Sequence, residues 1–526
     1  MKTNEIIIVG GGSAGWMTAS ILIKSFPHKK ITLIESPEVP KIGVGESTYE
    51  GINFYLEYLE IDRKDFFIHA DASIKLAIQF RNFYKESGEK DFIYPFGRPN
   101  TVGSTWGLQD WAVKKCLKKD TPVQEYAQFY FPAASLVKYN SMSDDHINLQ
   151  GFDPILYTAL HFDAIKFSEW LKNNYAMPRG VGNIVSTVKN IVCNEQGIDY
   201  MILSNDQIVK ADLYIDCTGF QSLLIGDALN ETFNSYSEIL PNNNAWATQI
   251  PYKDRSIELE NVTRCTALKN GWCWNIPLWS RLGAGYVYSD KYTTSEDALK
   301  EFKNYLKNDL SIKRTEKEIS ELEFRNIKMR VGIYENVWSK NVVAIGLSAG
   351  FIEPLESNGL FSVHEFLFEL VRAMSRDDIT QWDKDVFNKA VRDKFDNFVE
   401  FIKLHYALST REDSQYWKEI SNQKYDFSLM QKNNISSHLY DVQKIKTSLS
   451  LEAPEMGGIT WICAGMNYFL LDEVSLRLGE IMSKRNYGEE FEKSIEFLEQ
   501  RKNKWDSLAK NSLSTEEYLE NKYYKN

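Results

Sequence analysis

The sequence predicts an α/β fold whose N-terminal part is a Rossmann-like nucleotide-binding module, interleaved with other segments and followed by a mainly helical C-terminal part. Three observations predict it. The chain opens on a strand, a glycine turn and a helix; two later apolar strands also leave on glycine; and beyond about residue 365 the pattern is helical with scattered charges.

The opening element is Glu5-Ile-Ile-Ile-Val-Gly10, a continuous run of β-branched residues of the kind a strand buried on both faces requires. Gly10, Gly12 and Gly15 then satisfy G-x-G-x-x-G, with Ser13 and Ala14 inside the turn and a helical pattern from Trp16 to Lys24. The first glycine permits the tight turn, the second lets backbone approach a pyrophosphate, and the third packs helix on strand. The helix N-terminus then faces the anion with free N–H groups. A second strand, Lys30-Ile-Thr-Leu-Ile-Glu35, ends on an acid 20 positions after Gly15, where a ribose hydroxyl needs an acceptor. The glycines alone do not distinguish FAD from NAD. Three later segments read as returns to this sheet: Asn183 to Val188, Ala211 to Asp216, and Asn341 to Gly346.

Composition narrows the partners. The chain has 526 residues, 43% hydrophobic and 25% charged, enough for two or three domain-sized cores, and no repeat or low-complexity linker separates them. A net charge of −11 gains nothing from counterion release on a polyanion, which argues against nucleic acid. Six scattered cysteines with no CxxC point to a reducing, cytoplasmic setting, and no apolar run approaches the roughly 20 residues that would span a bilayer. Aromatics are in excess at 13%, which suggests aromatic-lined walls. None of the seven histidines falls in a metal-ligand pair, so no metal is expected. His161, in Leu160-His-Phe-Asp163, reads as packing.

Five motifs, in order, resemble those of the flavin-dependent tryptophan halogenases: Gly11-Gly-Ser-Ala-Gly-Trp-Met17, Ile42-Gly-Val-Gly-Glu-Ser-Thr48, Asp216-Cys-Thr-Gly-Phe220, Trp272-Cys-Trp-Asn-Ile-Pro277 and Phe351-Ile-Glu-Pro-Leu-Glu-Ser-Asn-Gly359. The WxWxIP element separates this family from the broader flavin monooxygenases. The resemblance implies an FAD-binding module of the flavin monooxygenase type within residues 1–365, discontinuous over about 1–80, 155–225 and 325–365, with substrate-binding segments interleaved. Residues 366–526 would form a helical cap over the substrate. It further implies that FADH2, supplied by a separate NAD(P)H flavin reductase, works with O2 and chloride or bromide to make hypohalous acid, which reaches an indole some distance away. A homodimer is compatible with it.

Residue by residue, the resemblance makes Lys75, in Ala72-Ser-Ile-Lys-Leu-Ala-Ile-Gln-Phe80, the amine that engages the electrophile. The segment itself alternates as a half-buried strand would, so a lysine there faces water or a polar pocket. Glu356 matches the active-site glutamate, although Glu353 or Glu356 could equally cap a helix beginning near Ser357. Backbone at Asn358 and Gly359 matches the halide site, with Asn where the family usually has Thr. Gly45, Glu46, Ser47, Val188, Leu347 and Leu360 join the cofactor set. Tyr94 and Phe96 take the place of a His-Pro-Phe segment that stacks on indole. The resemblance places Trp272 and Trp274 near the tunnel as a barrier to monooxygenation, while two tryptophans at i, i+2 on one strand face equally read as packing. The stretch Leu451 to Trp461 departs from the free-tryptophan enzymes, so the substrate is tryptophan, a tryptophan-containing peptide or a related indole. A flavin monooxygenase hydroxylating the same ring is the alternative, and a non-catalytic FAD-binding protein a third.

Overall fold

A computed structural model describes residues 3–39, 43, 46–85, 91–150, 152–376, 378–423, 454–468 and 478–525. Its first sheet has six strands in the order Trp338–Ser339, Val342–Ala344, Leu213–Asp216, Glu5–Val9, Lys30–Glu35 and Gly182–Val185, parallel throughout except for the first. All three expected returns are therefore in the sheet. The helix Ser13–Ser25 lies over it and buries nine residues, so four of the five residues of Glu5–Val9 are enclosed from both sides.

A second, seven-stranded sheet runs Arg325–Lys328, Asn244–Pro251, Arg281–Tyr288, Gly271–Pro277, Val262–Ala267, Ala77–Arg81 and Phe92–Pro95. It carries both tryptophans of the WxWxIP element. Trp272 and Trp274 sit two apart on one strand, buried, with ring centroids 6.2 Å apart. Trp274 covers Gly285 on the neighbouring strand, its partner in register, where any side chain would collide with the indole. Both rings are packed into the sheet.

A small sheet of Glu46–Ser47, Ala159–Phe162 and Ser73–Lys75 positions the site. The C-terminal part is helical: Phe361–Ala373, Gln381–Ala407, Gln415–Asn422, Pro454–Gly465 and Arg485–Lys510. Phe361–Ala373 and Gln381–Ala407 pack on each other, and Pro454–Gly465 packs on the second of them. Among the described residues no helix is long and apolar enough to cross a membrane.

Candidate active site

The glycine turn is shaped by backbone sterics. Gly10 has φ +117°, a conformation open mainly to glycine, and a Cβ there would strike the carbonyl of Cys217 on the adjacent strand. A Cβ on Gly15 would strike the carbonyl of Gly10, so this glycine sets how closely helix and strand approach. A Cβ on Gly12 would meet nothing within 4 Å. The helix begins there with no side-chain cap, leaving its N-terminal amides for an outside anion. Space above Gly12, free amides and a close-packed Gly15 together suit a dinucleotide pyrophosphate. Ser13 is tied to the Ala164 carbonyl at 3.1 Å, and Ala14 meets the turn Gly346–Ser348 that carries Leu347. Glu35 ends its strand facing Gly11 and accepts from Lys172 at 2.5 Å and Asn183 at 3.0 Å. Val188 starts the strand Val188–Asn194, two residues beyond Ser186, whose amide donates to the Glu35 carbonyl. Gly45 lies outside the described residues.

Lys75 departs from the half-buried strand that its alternation suggests. All three residues of Ser73–Lys75 are buried, because the strand is covered on both faces, and Lys75 is wholly enclosed. Its Nζ donates to the Thr48 carbonyl at 2.7 Å and to Ser357 Oγ at 2.6 Å, and lies 4.9 Å from the centre of the Phe96 ring. Burial pulls its pKa from 10.5 to about 7, with Glu356 and Cys265 opposing the shift. That is a bias on the order of 5 kcal/mol toward the neutral amine relative to water.

Glu356 ends the turn Pro354–Glu356, followed by Ser357 in the left-handed region at φ +63°. The next helix begins at Phe361, so neither Glu353 nor Glu356 caps it. Burial raises the Glu356 pKa, with His405 and then Lys75 acting against the rise. Its Oε1 is 2.7 Å from His405 Nε2, while His405 Nδ1 is 3.0 Å from the Phe401 carbonyl. A carbonyl only accepts, so Nδ1 carries a proton. The Glu356–His405 contact is then a second hydrogen bond of the same ring, shut off from solvent.

The segment 46–47 meets the turn 357–359. Ser47 Oγ is 2.9 Å from Ser357 Oγ, and Glu46 lies beside Gly359. Burial, and secondarily Asp163, raises the Glu46 pKa to about 7. Among the described residues the amides of Asn358 and Gly359 have no hydrogen-bond partner, and neither polar atom of the buried Asn358 side chain has one. These donors stand, with Leu360, just ahead of the N-terminus of Phe361–Ala373, a setting that favours an anion. Tyr94 and Phe96 are 6.1 Å apart, and Tyr94 meets Phe401 edge-on at 6.0 Å. Gly458 of the helix Pro454–Gly465 closes over both Tyr94 and Phe401, while residues 451–453 of the divergent stretch lie outside the described residues.

Comparison with known proteins decides the family. The tryptophan halogenase family model matches residues 5–450. The chain belongs to the tryptophan halogenase family. The tryptophan 6-halogenase SttH of Streptomyces toxytricini is 33% identical over 79% of this chain and 80% of its own. The solved structure titled VirX1 apo structure is 34% identical and superposes with a TM-score of 0.87 over 99% of this chain and 100% of that one. A tryptophan C-6 flavin-dependent halogenase (chlorinase) from taromycin biosynthesis is 29% identical, with a TM-score of 0.83 over 98% of this chain and 99% of its own. The chain is thus a member of a family of flavin-dependent enzymes, with their α/β architecture and helical C-terminal part.

Of the residues expected from the sequence, the structure brings Lys75, Glu356, Asn358, Gly359 and Phe96 together. Sequence reasoning missed His405, Phe401 and Thr48. His405 lies 49 residues beyond Glu356 in no recognisable motif, and the Thr48 contribution is a carbonyl, which no side-chain pattern reports.

Proposed function

We propose that this protein is an FADH2-dependent halogenase that uses O2 and chloride or bromide to halogenate the indole ring of tryptophan, a tryptophan-containing peptide or a related indole. The observation that carries the reading is the burial of Lys75 beside Glu356, with the Phe96 ring 4.9 Å from the Lys75 amine and, directly after the Ser357 that Lys75 meets, the amides of Asn358 and Gly359, which have no partner among the described residues. Gly10, Gly12, Ser13, Ala14, Gly15 and Glu35 would hold the FAD pyrophosphate and ribose, with Gly45, Glu46, Ser47, Val188, Leu347 and Leu360 along the rest of the cofactor. This is the discontinuous module of about 1–80, 155–225 and 325–365, with the residues from 366 onward capping the substrate. Bound reduced flavin supplies the two electrons that O2 needs to oxidise halide. A separate NAD(P)H flavin reductase in a cytoplasm would renew it.

The chemistry left to the protein is aromatic substitution. Two of the three Lys75 N–H bonds are taken by Thr48 and Ser357, and the third would donate to the oxygen of hypohalous acid. As the ring carbon takes the halogen, that oxygen leaves as water with a proton from the ammonium. The ring proton passes to Glu356, which His405 holds in place, and the ring regains its aromaticity. Phe96 and Tyr94 would hold the indole by ring contacts.

The test is product mass. The protein is incubated with a flavin reductase, NADH, FAD, O2 and tryptophan or tryptophan-containing peptides, with and without bromide. A halogen gained only with halide, and lost in Lys75→Ala while reduced flavin still consumes O2, is the expected result. A gain of oxygen independent of halide would make the protein a monooxygenase, and no turnover across the panel would leave an FAD-binding protein without this activity.

A further inference from the structure

Glu50 stands at the start of the helix Gly51–Tyr58, where a carboxylate ordinarily accepts from the first amides of its own helix. This one makes no such bond. Its Oε1 accepts instead from the amide of Gly97 at 2.6 Å, across 47 residues of chain. Gly97 directly follows Phe96 and has φ +92°, and a Cβ on it would stand 3.2 Å from the Cβ of Tyr157. The chain therefore turns away immediately after Phe96. The amide of Phe96 itself donates to the carbonyl of Leu76, the residue after Lys75, at 2.9 Å. Both amides that bracket Phe96 are thus tethered, one beside Lys75 and one to Glu50.

The two tethers differ in kind. The Leu76 bond is neutral, backbone to backbone. The Glu50 bond is made by a carboxyl group whose pKa burial raises, with the Gly97 amide and then Arg98 opposing the rise. A carboxylate in such a place binds an amide more tightly than a carbonyl does. Thr48, two residues earlier, gives its carbonyl to Lys75, and Ser47 meets Ser357. Residues 47–50 therefore hold the amine and the peptide after Phe96 in one frame, with the Phe96 ring centre 4.9 Å from Lys75 Nζ. Neighbouring carbons of an indole are one bond apart, so a wall displaced by about 1 Å presents a different carbon to the amine, or none in reach.

We propose that Glu50 is a positioning residue for the aromatic wall: through the Gly97 amide it fixes Phe96 relative to Lys75, and with it which carbon of a bound indole faces the amine. That role rests on the reading of Phe96 as the surface that holds the indole and of Lys75 as the group that engages the electrophile. Nothing in it requires Glu50 to touch the substrate. The charged group acting on Glu50 is Arg98, next along the chain from Gly97, and the titratable Tyr157 lies against Gly97 from the adjoining loop. Neither is altered by replacing the carboxylate.

Phe96-Gly97 is the sole Phe-Gly pair in the sequence. Full-length protein carrying carbonyl-labelled Phe and amide-labelled Gly therefore gives a single NMR cross-peak across that bond, and it reports the Gly97 amide. In the wild-type protein this peak should titrate with a midpoint above the ordinary carboxylate range, as Glu50 takes a proton. In Glu50→Gln the carboxamide oxygen still accepts, so the titration should vanish while the pattern of halogenated positions is kept. Glu50→Ala should spread product onto at least one further ring position and lower kcat/KM about tenfold, with FAD affinity unchanged. If Glu50→Ala does not fold, Glu50→Asp, one methylene shorter, is scored in the same way. A peak that does not titrate, or titrates as before in Glu50→Gln, overturns the proposal. So does a folded Glu50→Ala or Glu50→Asp with the wild-type product pattern. Should the wild-type protein yield no halogenated product, the same peak is followed as tryptophan or indole is added. Weaker binding in Glu50→Ala by about tenfold supports the role. Equal affinity in both proteins removes Glu50 alone, whereas a wild-type peak that neither compound moves removes Phe96 as the wall and the role of Glu50 with it.

Discussion

The glycine turn and the Lys75 chamber are built by opposite means. In the turn, residues 10–15 do the work together and mostly by lacking side chains: Gly10 clears Cys217, Gly15 clears Gly10, and Gly12 leaves room for an anion. In the chamber, side chains from residues 47, 75, 161, 263, 356, 357 and 405 converge, all enclosed and each satisfied by another. The turn depends on excluded volume, which is local. The chamber depends on proton arrangement, which is collective and extends over five or six hydrogen bonds. A single substitution should thus act on the turn through fit and affinity, and on the chamber through ionisation and rate.

Three changes would break or sharpen that contrast. The largest effect is expected for Glu356→Gln. The amide cannot take a ring proton, and kcat should fall by about 10²–10³-fold with FAD affinity unchanged. A drop in FAD affinity instead would mean that chamber and turn are not separable. In the wild-type protein the rate should decline as pH rises through about 7, where Lys75 loses its proton. It should also decline toward acid at a pH above the ordinary carboxylate range, because the Glu356 pKa is raised. Both limbs belong to a coupled set.

Next comes Gly15→Ala. The added methyl would press on the Gly10 carbonyl and force the helix from the strand, so FAD should bind at least about tenfold more weakly, with a lowered Tm. Titration of FAD against intrinsic fluorescence reads this directly. Unchanged affinity would remove the turn from the cofactor site. The smallest effect is expected for Asn358→Thr, since on the proposed reading backbone amides, not the side chain, hold the halide. A shift of about threefold or less in the halide KM, with kcat unchanged, is the expected outcome. A change of tenfold or more would make the Asn358 carboxamide itself a halide ligand.

Much of the fold was legible because its signals are short-range. The run Glu5–Val9 is apolar throughout since it is covered on both faces, and the returning strands at 213–216 and 342–344 carry the same mark. The candidate site was legible in the sequence where its motif lies on one turn, as Glu356 to Gly359 does. Lys75 shows the boundary. Its alternating neighbours imply a half-exposed strand, yet both faces are covered, and only the packed structure shows a lysine without exposed surface.

The sequence alone determined the glycine turn, the strands that return to the main sheet, the family and the helical C-terminal part, because each is recorded in contiguous residues or in a period of hydrophobicity. Tertiary structure alone decided that His405 supports Glu356, that a carbonyl at Thr48 holds Lys75, and that His161 stands at the end of a hydroxyl chain. Those facts depend on which groups meet across 27 to more than 300 residues of chain. They depend also on the rule that every buried donor must find an acceptor, which can be applied only after the partners are known.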